Sequence, residues 1–191
     1  MRQLARKFFS SRAFYAPPYR AGFIKSPIQF YLGLVQDLDL SVVPLPRQLI
    51  GALRAMGQMP FNPPNVRGWV GGRSWINSAT LAARRQVIST LMQPINENAL
   101  NGDEQLELAA AYADGVSNFT LDNTRLAAWA ALPPGERAKK LVQRFVPGIA
   151  GTELEHQLAT FLERSAEHTR SEAATRAALV TLLESPNYQL C

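Results

Sequence analysis

The chain has 191 residues, 47% of them hydrophobic and 18% charged, a composition that excludes a disordered or fibrous polymer and allows one self-supporting core. Its net charge of +5 is uneven: residues 1–100 hold twelve Lys/Arg against three Asp/Glu, and residues 101–191 hold eight against twelve. No apolar run approaches the roughly 20 residues of a membrane span, and Cys191, the one cysteine, excludes an intrachain disulfide and a cysteine metal cluster.

The first element is basic. Before Asp37 there is no acidic residue, only Arg2, Arg6, Lys7, Arg12, Arg20 and Lys25. Three readings fit: a mitochondrial transit peptide, a nucleic-acid-binding arm that displaces phosphate counterions, or a solvated basic helix face, which is favoured. Leu4, Ala5, Phe8 and Phe9 form an apolar stripe that Pro17-Pro18 ends.

Ser26-Pro27 opens a second helix, with Gln29 completing a capping box and Ile28, Tyr31, Leu32 and Val35 as its expected core face. A third follows Pro46, with Leu49, Leu53 and Met56 inward and Gly57 as its stop. After the segment 58–77 a fourth helix runs from Ser78 to Met92, placing Leu81, Arg84, Ile88, Leu91 and Met92 on one face. Helices are predicted at Asp103–Ala113, Asn123–Ala131, Pro134–Val146, Glu153–Ala166 and Glu172–Glu184, with a Thr152/Glu155 capping box and a stripe of Leu154, Leu158, Phe161, Leu162 and Ser165. Ser185–Gln189 reads as a turn. No segment alternates with period two, so the expected fold is all-α: one irregular multi-helix bundle over residues 1–191, with one long ordered Pro/Gly/Trp loop at 58–77.

Catalytic patterns do not emerge. His156 and His168 lack HExxH spacing, no Gly-x-Ser-x-Gly elbow is present, and Gly71-Gly72 is followed by Arg73-Ser74 without a Walker lysine. No metal site and no cofactor is indicated, and the reading leans away from an enzyme.

The loop Phe61-Asn-Pro-Pro-Asn-Val-Arg-Gly-Trp-Val-Gly-Gly-Arg-Ser-Trp-Ile-Asn77 is different. Its prolines restrict the backbone and its glycines permit angles that other residues avoid, so the composition specifies a path. Two readings compete. Trp69 and Trp75 plug the helix core, which is favoured because large aromatics dominate core energetics, or Asn62, Asn65, Arg67, Trp69, Arg73, Trp75 and Asn77 form a ligand platform that stacks on a sugar or base. Arg84, on a core face, needs partners because an unpaired buried charge is costly. Loop carbonyls or Asp122 could supply them, and a buried clamp for the loop is the preferred role.

This loop, continuing through Thr80-Leu81-Ala-Ala-Arg84, resembles the signature segment of the bacterial domain-of-unknown-function 1800 family. Tyr19-Arg20, Ile24-Lys25-Ser26-Pro27-Ile28-Gln29-Phe30 and Leu182-Leu183-Glu-Ser185-Pro186-Asn-Tyr188-Gln189 are similar to its flanking patterns, in the right order. The resemblance covers nearly the whole chain. It implies a carboxy-terminal portion of a longer protein, whose upstream helical half bears histidine-containing motifs and would be a partner of this chain. It also implies an exported or periplasmic setting and an envelope role, since relatives are commonly encoded beside a family that looks like a sulfatase or phosphatase relative. It supplies no reaction and no catalytic residues. The leading expectation is a non-catalytic scaffold or interaction module that engages the upstream half or another envelope protein. The alternative is part of an enzyme or carbohydrate-binding protein whose site upstream residues complete, and nucleic acid is a third, disfavoured partner.

Overall fold

Proline and short polar side chains fix where the helices begin. The computed structural model describes residues 1–16, 21–149, 153–166 and 170–191. Among these residues are nine α-helices and no sheet: α1 (Arg2–Phe9), α2 (Pro27–Asp37), α3 (Pro46–Ala55), α4 (Ser78–Leu91), α5 (Gly102–Ala113), α6 (Asn123–Ala130), α7 (Pro134–Phe145), α8 (Glu153–Ala166) and α9 (Ser171–Glu184). The Ser26/Gln29 capping box forms as read, and similar boxes join Asn77 to Thr80 and Asn101 to Glu104. Gly57, at φ 92°, ends α3 with the paired bonds of a left-handed cap, from Gly57 N–H to Arg54 O and from Gln58 N–H to Leu53 O. Thr152 of the second expected box, Tyr19-Arg20 and the Pro17-Pro18 turn lie outside the described residues.

The main core gathers the inner faces of α2, α4, α7, α8 and α9 around Phe30, Leu34, Ile88, Leu141, Leu162 and Leu179. A smaller cluster of Leu45, Leu100, Leu108 and Phe119 seats α5 beside it. Helices α7 and α8 pack most extensively, followed by α6 on α9 and α8 on α9. Three expected core residues are displaced. On α2 the buried set is Pro27, Phe30, Tyr31, Leu34 and Val35, and at 100° per residue Leu32 points roughly 130° from the centre of that stripe. It is exposed, and Leu81 and Phe161, at the edges of their stripes, are exposed as well.

Helix α1 is the solvated basic helix favoured from the sequence, and its apolar stripe is solvated as well, because none of its residues is buried. Its apolar side chains pack on their own neighbours: Phe8, Phe9 and Phe14 form a mutual edge-to-face cluster with ring centroids 5.0–5.3 Å apart. The segment therefore adds little to the core. Leu141→Ala, at a fully buried site in α7, is expected to lower stability to urea by about 2–5 kcal/mol, while Leu4→Ala should change it by less than about 0.5 kcal/mol.

Candidate functional site

The 58–77 loop is built from short-range bonds that fix its path. Gln58 Oε1 accepts the Ile28 N–H at 3.1 Å, which ties the start of the loop to the first turn of α2. Asn65 Oδ1 accepts the Arg67 N–H at 2.9 Å, and Gly68 N–H reaches Asn65 O at 3.0 Å, closing a turn that places Gly68 at φ 83°. Gly72–Trp75 forms a single 3-10 turn, with the Ser74 hydroxyl donating to Val70 O and Gly71 O. At the exit, Asn77 Oδ1 accepts the Thr80 N–H, and the Thr80 hydroxyl donates to Trp75 O at 3.0 Å. The buried Thr80 therefore fastens the end of the loop to α4.

These bonds sort the seven candidate side chains. Trp75 is buried at 8% exposure and plugs the loop against the bundle, and Asn77 is the N-cap of α4. Trp69 is half-buried and lines a shallow recess of about 330 Å³ with Arg54, Gln58, Met59, Asn62 and Pro64. Asn62, Asn65, Arg67 and Arg73 are exposed. Of the seven, Asn62 and Trp69 line one recess together, while Trp75 is buried and Asn77 is engaged as a cap. Phe61 and Val66, which carried no role in the sequence, project fully, at 102% and 105% exposure, and Val70 is also exposed.

Arg84 is buried at 1% exposure, but its hydrogen bonds go elsewhere than expected. Nη2 donates to Lys25 O at 2.7 Å and Nη1 to Gln189 Oε1 at 3.0 Å, and the guanidinium lies 4.7 Å above the Phe30 ring. Asp122 instead caps α6, accepting the Arg125 N–H at 2.9 Å. Arg84 thus clasps the segment before α2 to the end of the chain, where Ile24 and Leu190 form an antiparallel bridge and Lys25 N–H reaches Gln189 O at 2.8 Å. Tyr188 extends the clasp, with its hydroxyl donating to Asp37 Oδ2 at 2.8 Å and the Lys25 ammonium 3.7 Å from its ring centre. Burial lowers Arg84 to about 10, which leaves it charged at neutral pH. Burial also lowers Lys25, opposed by the Asp37 and Cys191 charges, and raises the Tyr188 phenol, helped by Asp37.

A second buried arginine escaped the sequence reading. Arg137 donates to Ala130 O, Leu132 O and Thr175 Oγ1 at 2.6–3.0 Å, closing the α6–α7 turn on α9. Its period with Ala138 and Leu141 on α7 was the available signal. Among the described residues no group of three or more His, Cys, Asp or Glu side chains is placed to hold a metal ion. His156 is exposed, and His168 lies outside the described residues. An apolar groove of about 540 Å³ runs between α3 and α4, lined by residues such as Leu49, Ala52, Val87, Leu91 and Ile95. Its lining contains no Asp, Glu, His, Lys, Arg or Cys, and its hydroxyls are those of Tyr31, Thr90 and Thr120.

One family model, that of a protein of unknown function, DUF1800, matches residues 1–190. The chain belongs to the DUF1800 family. No curated protein and no solved structure matches it. The DUF1800 match assigns neither reaction nor ligand, so what the site does rests on its geometry. Arg84→Met in the DUF1800 chain is expected to cost about 2–4 kcal/mol by orphaning Lys25 O and the Gln189 amide. Amide exchange should quicken at Phe23, Lys25 and Cys191 while Ile76 in the loop keeps its protection. The reverse pattern would return Arg84 to the loop.

Proposed function

We propose that this chain is a non-catalytic helical interaction module that presents the 58–77 loop to a partner protein in an envelope-associated assembly. One observation carries the reading: a loop held at both ends projects the fully exposed apolar side chains Phe61 and Val66. A fixed loop loses little conformational entropy on association, which is the main cost of binding through a flexible segment. Arg67 and Arg73 stand in the same loop, which contains no acidic residue. The partner surface is therefore an apolar recess flanked by carboxylates. The envelope setting rests on the family resemblance alone.

A photo-crosslinking amino acid at Val66 in the intact chain is expected to give one discrete protein adduct, mapped to an apolar patch flanked by Asp or Glu. With that partner purified, Phe61→Ser should weaken binding at least about tenfold, and Arg67→Glu/Arg73→Glu should weaken it and flatten its salt dependence. Diffuse adducts, or a partner indifferent to these changes, would sink the proposal.

Carbohydrate binding is a second reading, favoured by the half-buried Trp69 ring beside Arg54, Gln58 and Asn62. Apolar ring faces and amide groups are what a sugar requires of a protein surface. The interaction reading expects neutral and acidic oligosaccharides to leave tryptophan fluorescence unchanged. A saturable change that Trp69→Phe abolishes would favour the sugar instead.

A further inference from the structure

The loop leaves the first sixteen residues without a role, although they hold an unusual concentration of surface. Helix α1 buries no side chain, yet it is amphipathic. Leu4, Ala5, Phe8 and Phe9 cover an arc of roughly 140°, and Arg2, Arg6 and Lys7 occupy the remainder. The chain then folds back through a turn that places Phe14 on Phe8 and Phe9, and Tyr15 on Phe14, with ring centroids 5.0–5.2 Å apart. Phe8 and Phe9 remain 55% and 54% exposed. This is a self-packed aromatic knob that has not been drawn into the core.

Its charge is of one sign. Arg2, Arg6, Lys7 and Arg12 are exposed in the same sixteen residues as the knob, and no acidic residue precedes Asp37. Five arginines elsewhere in the fold, Arg84, Arg125, Arg137, Arg144 and Arg176, donate to main-chain carbonyls. No side-chain hydrogen bond or ion pair joins Arg2, Arg6, Lys7 or Arg12 to another described residue. These four cations are held outward around an apolar surface, and that combination selects among occupants. A nucleic acid would take the cations but gain little from a cluster of edge-to-face phenyl rings, because base stacking needs an open ring face. An apolar protein recess would take the rings but would not need every charge to be positive.

We propose that residues 1–16 form a peripheral docking surface for an anionic phospholipid bilayer. The aromatic knob enters the boundary between headgroups and acyl chains, and the four cations remain among the lipid phosphates. Aromatic and leucine side chains on one face with Lys/Arg on the other is the composition of helices that lie in a membrane interface. The attraction falls off within a Debye length, so it depends on salt and on lipid charge. No helix among the described residues is long and apolar enough to cross a membrane, so the contact is a surface one.

The test uses the intact chain and sedimentation with vesicles of phosphatidylcholine alone or with about 30% phosphatidylglycerol, an anionic lipid. Binding to the anionic vesicles is expected to exceed binding to neutral ones by at least about 30-fold, given four cations at the surface, and to fall at least about tenfold between low and high salt. Phe8→Ser/Phe9→Ser and Arg6→Glu/Lys7→Glu should each remove most of the binding while helicity and melting stay at the parent value, because α1 packs on none of the core. A Phe9→Trp variant should shift its emission to the blue on anionic vesicles and be quenched by brominated acyl chains. Equal sedimentation with both vesicle types, binding that survives both double variants, or an unshifted emission from the Phe9→Trp variant would each overturn the proposal. So would binding to a DNA duplex with none to vesicles, which would give the face to nucleic acid. The loop partner is not involved in these measurements, so they stand or fall independently of it.

Discussion

The buried guanidinium of Arg84 is the constraint around which the other elements are arranged. A cation at 1% exposure must find acceptors, and among the described residues no carboxylate lies within ion-pair reach; its two Nη atoms donate instead to Lys25 O and the Gln189 side chain, on segments far apart in sequence, and Nε is left without a partner. The same device recurs. Arg125 and Arg144 reach carbonyls at the carboxy-terminal end of α2, Arg137 the last carbonyl of α6 and one beyond it, and Arg176 bonds Met92 O after α4. The last carbonyls of a helix lack intrahelical partners and carry partial negative charge, so a planar cationic fork suits them well. Much of the arginine content is internal wiring between helix ends. In the first sixteen residues and at the loop, Arg2, Arg6, Lys7, Arg12, Arg67 and Arg73 remain outward.

The fold class, the helix starts and the Gly57 stop were legible in the sequence because each rests on local chemistry: a capping side chain, a proline at a first helical position, a glycine with positive φ. The burial of Arg84 was legible too, since the period of α4 places it beside Ile88 and Leu91. Its partners were not. Lys25 O and Gln189 lie 59 and 105 residues away, and a main-chain carbonyl leaves no mark in the sequence. Leu32 shows another limit, because leucine is apolar wherever it stands and only the neighbouring helices decide which arc of α2 is covered. The loop divided in the same way. Trp75 and Asn77 are structural, Trp69 is partly so, and the projecting residues are Phe61 and Val66, which a search for polar and indole groups passes over.

The two outward surfaces differ in how they are made. The loop is fastened by Gln58 and Thr80, so its exposed side chains sit in one arrangement before any partner arrives. Residues 1–16 are ordered by their own rings, with little help from the bundle. A surface of the first kind favours a single complementary shape; the second tolerates a soft, chemically repetitive one. Neither needs the buried polar network, which can remain intact while both are occupied.

The clasp between the segment preceding α2 and the chain's last described residues also orders events during folding. Tyr188 follows its partner Asp37 by 151 residues. During synthesis Arg84 and Asp37 emerge long before residues 188–190 exist, and the face of α2 that will receive Tyr188 stays wet until then. Long loop closure of this kind is slow relative to helix formation. The latch can therefore close only after residues 188–190 have been made, later than every helix of the bundle.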